Sequence, residues 1–248
     1  MAGAGQRFIT AGYQSPKPLL SVSGRPMIVQ AASCLPNADQ WIFVCRKEHI
    51  VEAEIDRELK KHFKSIDIIA LDHLTEGQAC TCLTAKGKLD PNATLTIGAC
   101  DNAMIYNQAQ FETEISSSRV DALIWTFRQN PAVLQDPRMY GWVDADLAGR
   151  VRRLSVKMPL SDQPMNDHAV IGAFTFKRAR DFIDLAENMV RANRRIRNEF
   201  YVDEVMNIAV EQGLSVKVFE VQHYICWGTP RDLETYNYWH SWFSNVKL

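Results

Sequence analysis

The stretch MAGAGQRFITAGYQSPKPLLSVSGRPMI, residues 1–28, sets Gly3 and Gly5 one residue apart, follows them with Arg7, and holds Lys17 between Pro16 and Pro18. Glycine lets a backbone take positive φ and approach a ligand closely, so successive N–H groups of such a loop can point at one anionic centre. A guanidinium two residues on adds a fixed fork of donors for phosphate, and the lysine adds a point charge. The flanking prolines keep Lys17 in extended backbone and aim its ammonium. Closely spaced glycines also serve ordinary turns, and the loop taken alone leaves that reading open; its neighbours favour an anion cradle.

Outward from the loop, helical and β-rich patterns alternate. Residues 26–35 have helical periodicity and 40–47 form a short apolar run suited to a buried strand. An amphipathic helix over 49–63, a strand over 65–72, a helix over 77–89, a strand over 93–101 ending in Asp101, a helix over 108–118 and a strand over 121–128 follow. Such alternation implies βαβ units, hence an α/β single domain with a mostly parallel central sheet flanked by helices. Ligands on such sheets bind beyond the carboxyl ends of the strands. Residues 139–160 instead read as two short strands around an Asp/Gly turn, a small β-hairpin insertion outside the sheet. Helical patterns return at 178–196 and 202–213, the latter stopped by Gly213, before a strand at 215–221. Near the end, Pro230 suits a helix start and Asp232 its first turn.

The 248 residues sit at the upper end of what one hydrophobic core supports. A net charge of −1 gives no global footprint for nucleic acid and no polybasic anchor for a membrane. The basic run RANRRIR, Arg191 to Arg197, is either a solvated helix end or a grip on an anionic ligand through Arg194 and Arg195. No apolar run is long enough to span a bilayer and no signal-peptide pattern precedes the loop, so a cytoplasmic location is expected. Six cysteines without C-x-x-C pairs or histidines at zinc spacing read as reduced core residues. The aromatic tail YNYWHSWF is core packing or an interface, with core packing favoured and a homo-oligomer left open.

GAGQRF followed by PKPLL and GRPMI resembles the signature of the sugar-phosphate nucleotidyltransferase family. TEGQACT, IGACDN, YGWV with GRV and VKMP, NEFYVDEVMN and WGTPRDLETY follow in the family's order, so the resemblance covers essentially the whole chain. It implies a Rossmann-like domain over 1–248, with 1–130 mainly nucleotide-binding and 131–248 mainly acceptor-binding. It also implies the reaction: a phosphate oxygen of a small acceptor attacks the α-phosphorus of an NTP and pyrophosphate leaves. On this resemblance Ala2, Gly3, Ala4 and Gly5 hold the triphosphate, Arg7 stabilises pyrophosphate, and Lys17 bridges the acceptor phosphate and the α-phosphate. Asp101 holds Mg²⁺, Gly77 and Gln78 lie at the nucleobase, and Lys157, Glu199, Tyr201 and Asp203 face the acceptor. A sugar 1-phosphate destined for surface polysaccharide is the expected acceptor, with phosphocholine-like molecules open.

Bland readings stand beside these. Asp101 suits a helix N-cap before NAMIY, Lys157 a solvated hairpin, and Asp203 the first turn of a helix. Two departures from the family are expected to matter: Cys226 or Trp227 stands where relatives carry a second metal carboxylate, and Met1 stands where relatives end an apolar strand that supports the loop. Two rivals are a glycosyltransferase, whose metal-binding D-x-D here occurs only as Asp144 to Asp146 in the hairpin turn, and a non-catalytic nucleotide-binding protein. A dinucleotide oxidoreductase is excluded because Phe8 occupies a position that must be small and the loop does not open directly into a helix.

Overall fold

The run HAVIGAFTF forms the strand His168–Phe176, nearly all of it buried, as expected for a strand covered on both faces. It belongs to a computed structural model that describes residues 3–246. The chain divides into two compact units, one made of Met1–Leu74, Ala99–Met104 and Ile225–Leu248, the other of Thr75–Gly98 and Ile105–Tyr224.

In the second unit, His168–Phe176 runs antiparallel to Ala122–Phe127 along one edge. Along its other edge it pairs with Gly141–Ala145 near its start and with Leu95–Ile97 near its end. Its register against Ala122–Phe127 shifts between Val170 and Phe174, where Gly172 takes φ +81°, a bulge that bends the strand. Val216–Glu220 adds in parallel to Ala122–Phe127, and Val151–Val156 pairs antiparallel with Gly141–Ala145. The α/β class holds, with helices on a sheet that is mixed. The hairpin over 139–160 forms and turns at Gly149 (φ +80°), but it is no insertion outside the sheet. Gly141, Trp142 and Val143 are all buried, and a strand apolar on both faces must lie within the layers. The helices Ala179–Arg191 and Val202–Glu211 close this core with apolar residues three and four apart, such as Phe182, Leu185, Ala186 and Met189.

In the first unit, Trp41–Arg46 and Ile66–Leu71 pair in parallel, and the helix Met27–Ser33 packs Ile28, Val29 and Ala32 into the same core. The single helix expected over 49–63 is two, Lys47–Val51 and Ile55–His62. Glu54 takes φ +51° between them, and the break lets Ile55 and Leu59 reach the core while Val51 stays exposed. Likewise 77–89 resolves into the helix Gln78–Leu83 and the 3₁₀ turn Lys86–Lys88.

One close approach ties two sequence motifs of the second unit together. The Phe200 N–H donates to the Glu76 carbonyl at 2.9 Å, and the Ala79 N–H donates to the Phe200 carbonyl at 3.0 Å. Gly77 lies between them at φ 133° and ψ 177°, a region open only to glycine, and a Cβ there would stand 2.6 Å from both the nitrogen and the oxygen of Phe200. Because the obstruction is backbone, Gly77→Ala is expected to destabilise the fold by about 2–3 kcal/mol in denaturant unfolding. A loss below about 0.5 kcal/mol, the range of an ordinary surface substitution, would show that the segment is not held against Phe200.

Candidate active site

Gly5 takes φ +63° and caps the helix Gln6–Thr10, so the loop does open directly into a helix, contrary to the expectation. That helix is five residues long, too short for apolar periodicity to show, and the case against a dinucleotide fingerprint now rests on the buried Phe8. Gly3 has open space around its Cα, and Arg7 is exposed on the first turn. Ala2, assigned to the triphosphate, lies outside the described residues. Lys17 is not extended: Pro16 is (ψ 139°), and Lys17 opens the 3₁₀ turn Lys17–Leu19. Pro18 fits that turn because its missing N–H is not needed there.

The turn aims the Lys17 side chain inward. Its ammonium donates to Asp101 Oδ2 at 2.5 Å and to the Gly228 carbonyl at 3.1 Å, and sits 5.4 Å from the Phe8 ring centroid. Burial alone would lower the lysine pKa, but Asp101, Cys100 and Cys226 outweigh it, and the pKa ends above the ordinary value. Lys17 is therefore a firm cation at neutral pH. A cavity of about 320 Å³ lies against the loop, lined by Gly3, Ala4, Gly5, Tyr13, Lys17 and His49. Buried His49, whose Nδ1 has no hydrogen-bond partner, carried no signal in the sequence that would set it apart.

Asp101 does not end a strand. Leu95–Ile97 stops four residues earlier, and Asp101 immediately precedes the strand Asn102–Ile105, which also removes the helix N-cap reading. Its carbonyl accepts from the Trp227 N–H at 2.7 Å. Gly228 separates carboxylate and thiol: a Cβ there would stand 3.1 Å from Cys226 Sγ and 3.6 Å from Asp101 Oδ2. The nearby Asp232 is committed to the capping box of the helix Pro230–Asn245, accepting from the Thr229 N–H at 3.0 Å and its hydroxyl at 2.6 Å. Among the described residues no three His, Cys, Asp or Glu side chains converge as a metal site. A single carboxylate, here paired with the Lys17 ammonium, would suit a hard Mg²⁺ ion that keeps its waters and shares phosphate oxygens, and does not suit an all-protein cage.

In the second unit the four residues assigned to the acceptor come together. Lys157, at φ +63°, donates to the Met139 carbonyl and holds its Nζ 5.7 Å from the Tyr201 ring centroid. Burial raises the Tyr201 pKa, reinforced by the Glu199 carboxylate, which is hydrogen-bonded to it. Glu199 sits in a tight turn closed by reciprocal 3.0 Å bonds between Ile196 and Glu199, with Arg197 and Asn198 both at positive φ. Asp203 is buried, and burial pushes its carboxyl above the usual range against the pull of Lys157. Gly141 makes room for it, since a Cβ there would fall 2.0 Å from Asp203 Oδ1. Gly77 and Gln78 begin the helix Gln78–Leu83 beside Phe200.

The basic run is a brace. Arg194 bonds both oxygens of Glu211 at 2.5 and 2.7 Å and also donates to Glu204. Arg195 pairs with Glu76 at 3.0 Å and lies 4.1 Å over the Phe200 ring. The D-x-D of the hairpin is turn chemistry: Asp146 Oδ1 accepts the N–H groups of Ala148 and Arg150, both at 2.9 Å, and Asp144 pairs with Arg153 at 3.5 Å.

The sequence profile of the nucleotidyl transferase family matches residues 1–239. Among solved structures, a nucleoside-diphosphate-sugar pyrophosphorylase from Vibrio cholerae RC9 superposes with a TM-score of 0.76 at 20% identity, covering 95% of this chain and 97% of that one. A putative glucose-1-phosphate thymidylyltransferase from Bacillus anthracis gives 0.74 at 16%, covering 99% and 94%. The inositol-1-phosphate CTP transferase from T. maritima gives 0.72 at 13%, covering 100% and 95%. At these identities the likeness is one of fold. No curated protein matches the chain by sequence.

Asp203 yields a stability test. A carboxyl whose native pKa is raised holds its proton longer in the folded chain, so stability falls as pH rises from the ordinary aspartate value through the raised one. Asp203→Asn keeps the volume and removes the charge. The variant is expected to melt higher than the parent near pH 8, by about 2–4 °C for each kcal/mol recovered, with the gain fading toward about pH 4. An equal gain at both ends would contradict a burial-driven shift.

Proposed function

Because the chain belongs to the nucleotidyl transferase family, we propose that it transfers an NMP group from an NTP to a phosphorylated small molecule, most simply a sugar 1-phosphate, with release of pyrophosphate. An oxygen of the acceptor phosphate forms a bond to the α-phosphorus while the bond from that phosphorus to the bridging oxygen breaks. The reaction needs charge neutralisation and in-line positioning more than covalent help from the protein. The observation that carries the reading is Lys17, whose ammonium is bound to Asp101 and whose Cβ lies beside Gly5, 3.5 Å from where a Cβ there would stand.

Each residue then has a task. N–H groups of Gly3, Ala4 and Gly5 bind the triphosphate, and exposed Arg7 meets charge gathering on the leaving pyrophosphate. Lys17 shifts from Asp101 to bridge the acceptor phosphate and the α-phosphate. Asp101 is the residue that would hold Mg²⁺, which when bound neutralises phosphate charge. Gly77 and Gln78 meet the base, and Lys157, Glu199, Tyr201 and Asp203 position the acceptor, so that 1–130 serves mainly the nucleotide and 131–248 mainly the acceptor. Cytoplasmic synthesis of a precursor for surface polysaccharide is part of this proposal; among the described residues no helix is long and apolar enough to cross a membrane.

Pyrophosphate release, measured with each NTP in turn against a panel of sugar 1-phosphates and phosphocholine in Mg²⁺, tests this. Turnover with one pairing is expected, and Asp101→Asn should lose at least about 100-fold in kcat with its circular dichroism unchanged. Near-normal turnover in that variant would remove Asp101 from the reaction. NTP binding without turnover in the parent would favour the non-catalytic reading.

A further inference from the structure

The helix Pro230–Asn245 belongs to the first unit but packs into its core only over its first turns. Leu233 is buried and Tyr236 packs on Trp227, but every residue from Asn237 to Asn245 is exposed. This stretch, NYWHSWFSN, has little reason of its own to be helical. Its residues are middling or poor helix formers, its last turn holds no basic side chain, and Ser244 and Asn245 bond back to carbonyls four residues earlier. A short helix of this kind is marginal in water unless a partner covers it.

The exposed side is aromatic. Tyr238 is 64% exposed, Trp239 50%, Trp242 46% and Phe243 60%. Trp239 contacts both Trp242 and Phe243, with centroids 6.3 and 6.0 Å apart, so the rings form one continuous stripe. We propose that this stripe is the interface through which a second copy of the chain docks, two helices packing against each other about a two-fold axis. Charge selects that occupant. From Tyr236 to Val246 no Lys, Arg, Asp or Glu occurs, so the face offers nothing to a charged partner and lacks the basic residues that accompany aromatics on a lipid surface. A neutral aromatic face is complementary to itself, and an isologous contact needs no second patch. The other large exposed hydrophobic residues of the described chain, such as Ile9, Val51 and Leu147, are scattered singly along the sequence. Area agrees. Aromatic side chains bury roughly 150–250 Å² each, so four half-exposed rings leave on the order of 400 Å² per copy, and with their polar neighbours two copies approach the ~1,000 Å² of a specific interface.

Sedimentation velocity over a dilution series from about 100 µM tests the proposal, with the dissociation constant as readout. The parent is expected to dimerise, and Trp239→Gln with Trp242→Gln should weaken the dimer at least about 100-fold, since buried tryptophans dominate such contacts. Phe243→Lys, which puts like charges face to face, should do the same independently. Circular dichroism identifies any variant that has lost its fold rather than its partner, and the other variant then decides. A parent that stays monomeric throughout, or a dimer indifferent to both variants while folded, overturns the proposal. So does a monomeric parent that binds zwitterionic lipid vesicles, which would make the stripe a membrane face.

Discussion

A single ion pair organises the first unit. Lys17 comes from the N-terminal loop, Asp101 from the short segment Ala99–Met104, and the Gly228 carbonyl from the C-terminal part, so three stretches remote in sequence meet at one ammonium. The Lys17 side chain is only 16% exposed, and a partly buried cation must be paired or it loses its proton. Satisfying that charge requires the loop, the segment before Asn102 and the turn at Gly228 to hold their places together. An ammonium and a carboxylate kept in contact with little water between them are also the two charges that phosphoryl chemistry asks of a protein.

The second unit is constrained by room rather than by charge pairing. Gly77 exists to let Phe200 pass, and Gly141 exists to let the Asp203 carboxyl in. Around them the backbone is strained: Lys157, Arg197 and Asn198 all adopt positive φ without being glycine. Such conformations persist only where surrounding structure over-determines them. Here the Arg194 and Arg195 ion pairs and the Glu76–Phe200–Ala79 bonds do so. The strain falls on Lys157, one of the residues assigned to the acceptor, and on the turn that leads into Glu199, another of them.

Much of this was legible in the sequence. The helices 26–35, 178–196 and 202–213, the strands at 40–47, 65–72, 121–128 and 215–221 and the Gly213 terminator all follow from periodicity and punctuation. The long strand His168–Phe176 escaped notice because Gly172 interrupts its pattern, and the hairpin's membership of the sheet depends on pairing with that strand. Motif and order single out the loop's glycines, Lys17 and Asp101, but not the bond between Lys17 and Asp101, since no local pattern reports a contact 84 residues apart. RANRRIR left both a solvated helix end and an anion grip open because the sequence does not show that Glu204, Glu211 and Glu76 already hold Arg194 and Arg195. The aromatic tail looked like core because composition favours burial for such residues, whereas the structure leaves its last turns bare.

The central claim is that Lys17 and Asp101 act as one unit placed by the fold. A double-mutant cycle on kcat/KM for pyrophosphate formation, using Lys17→Met, Asp101→Asn and the pair, addresses it most directly. Residues that act together lose activity non-additively, so the double variant should be no slower than the slower single one. Losses that multiply would contradict the account, because they would mean that the two charges serve the reaction independently.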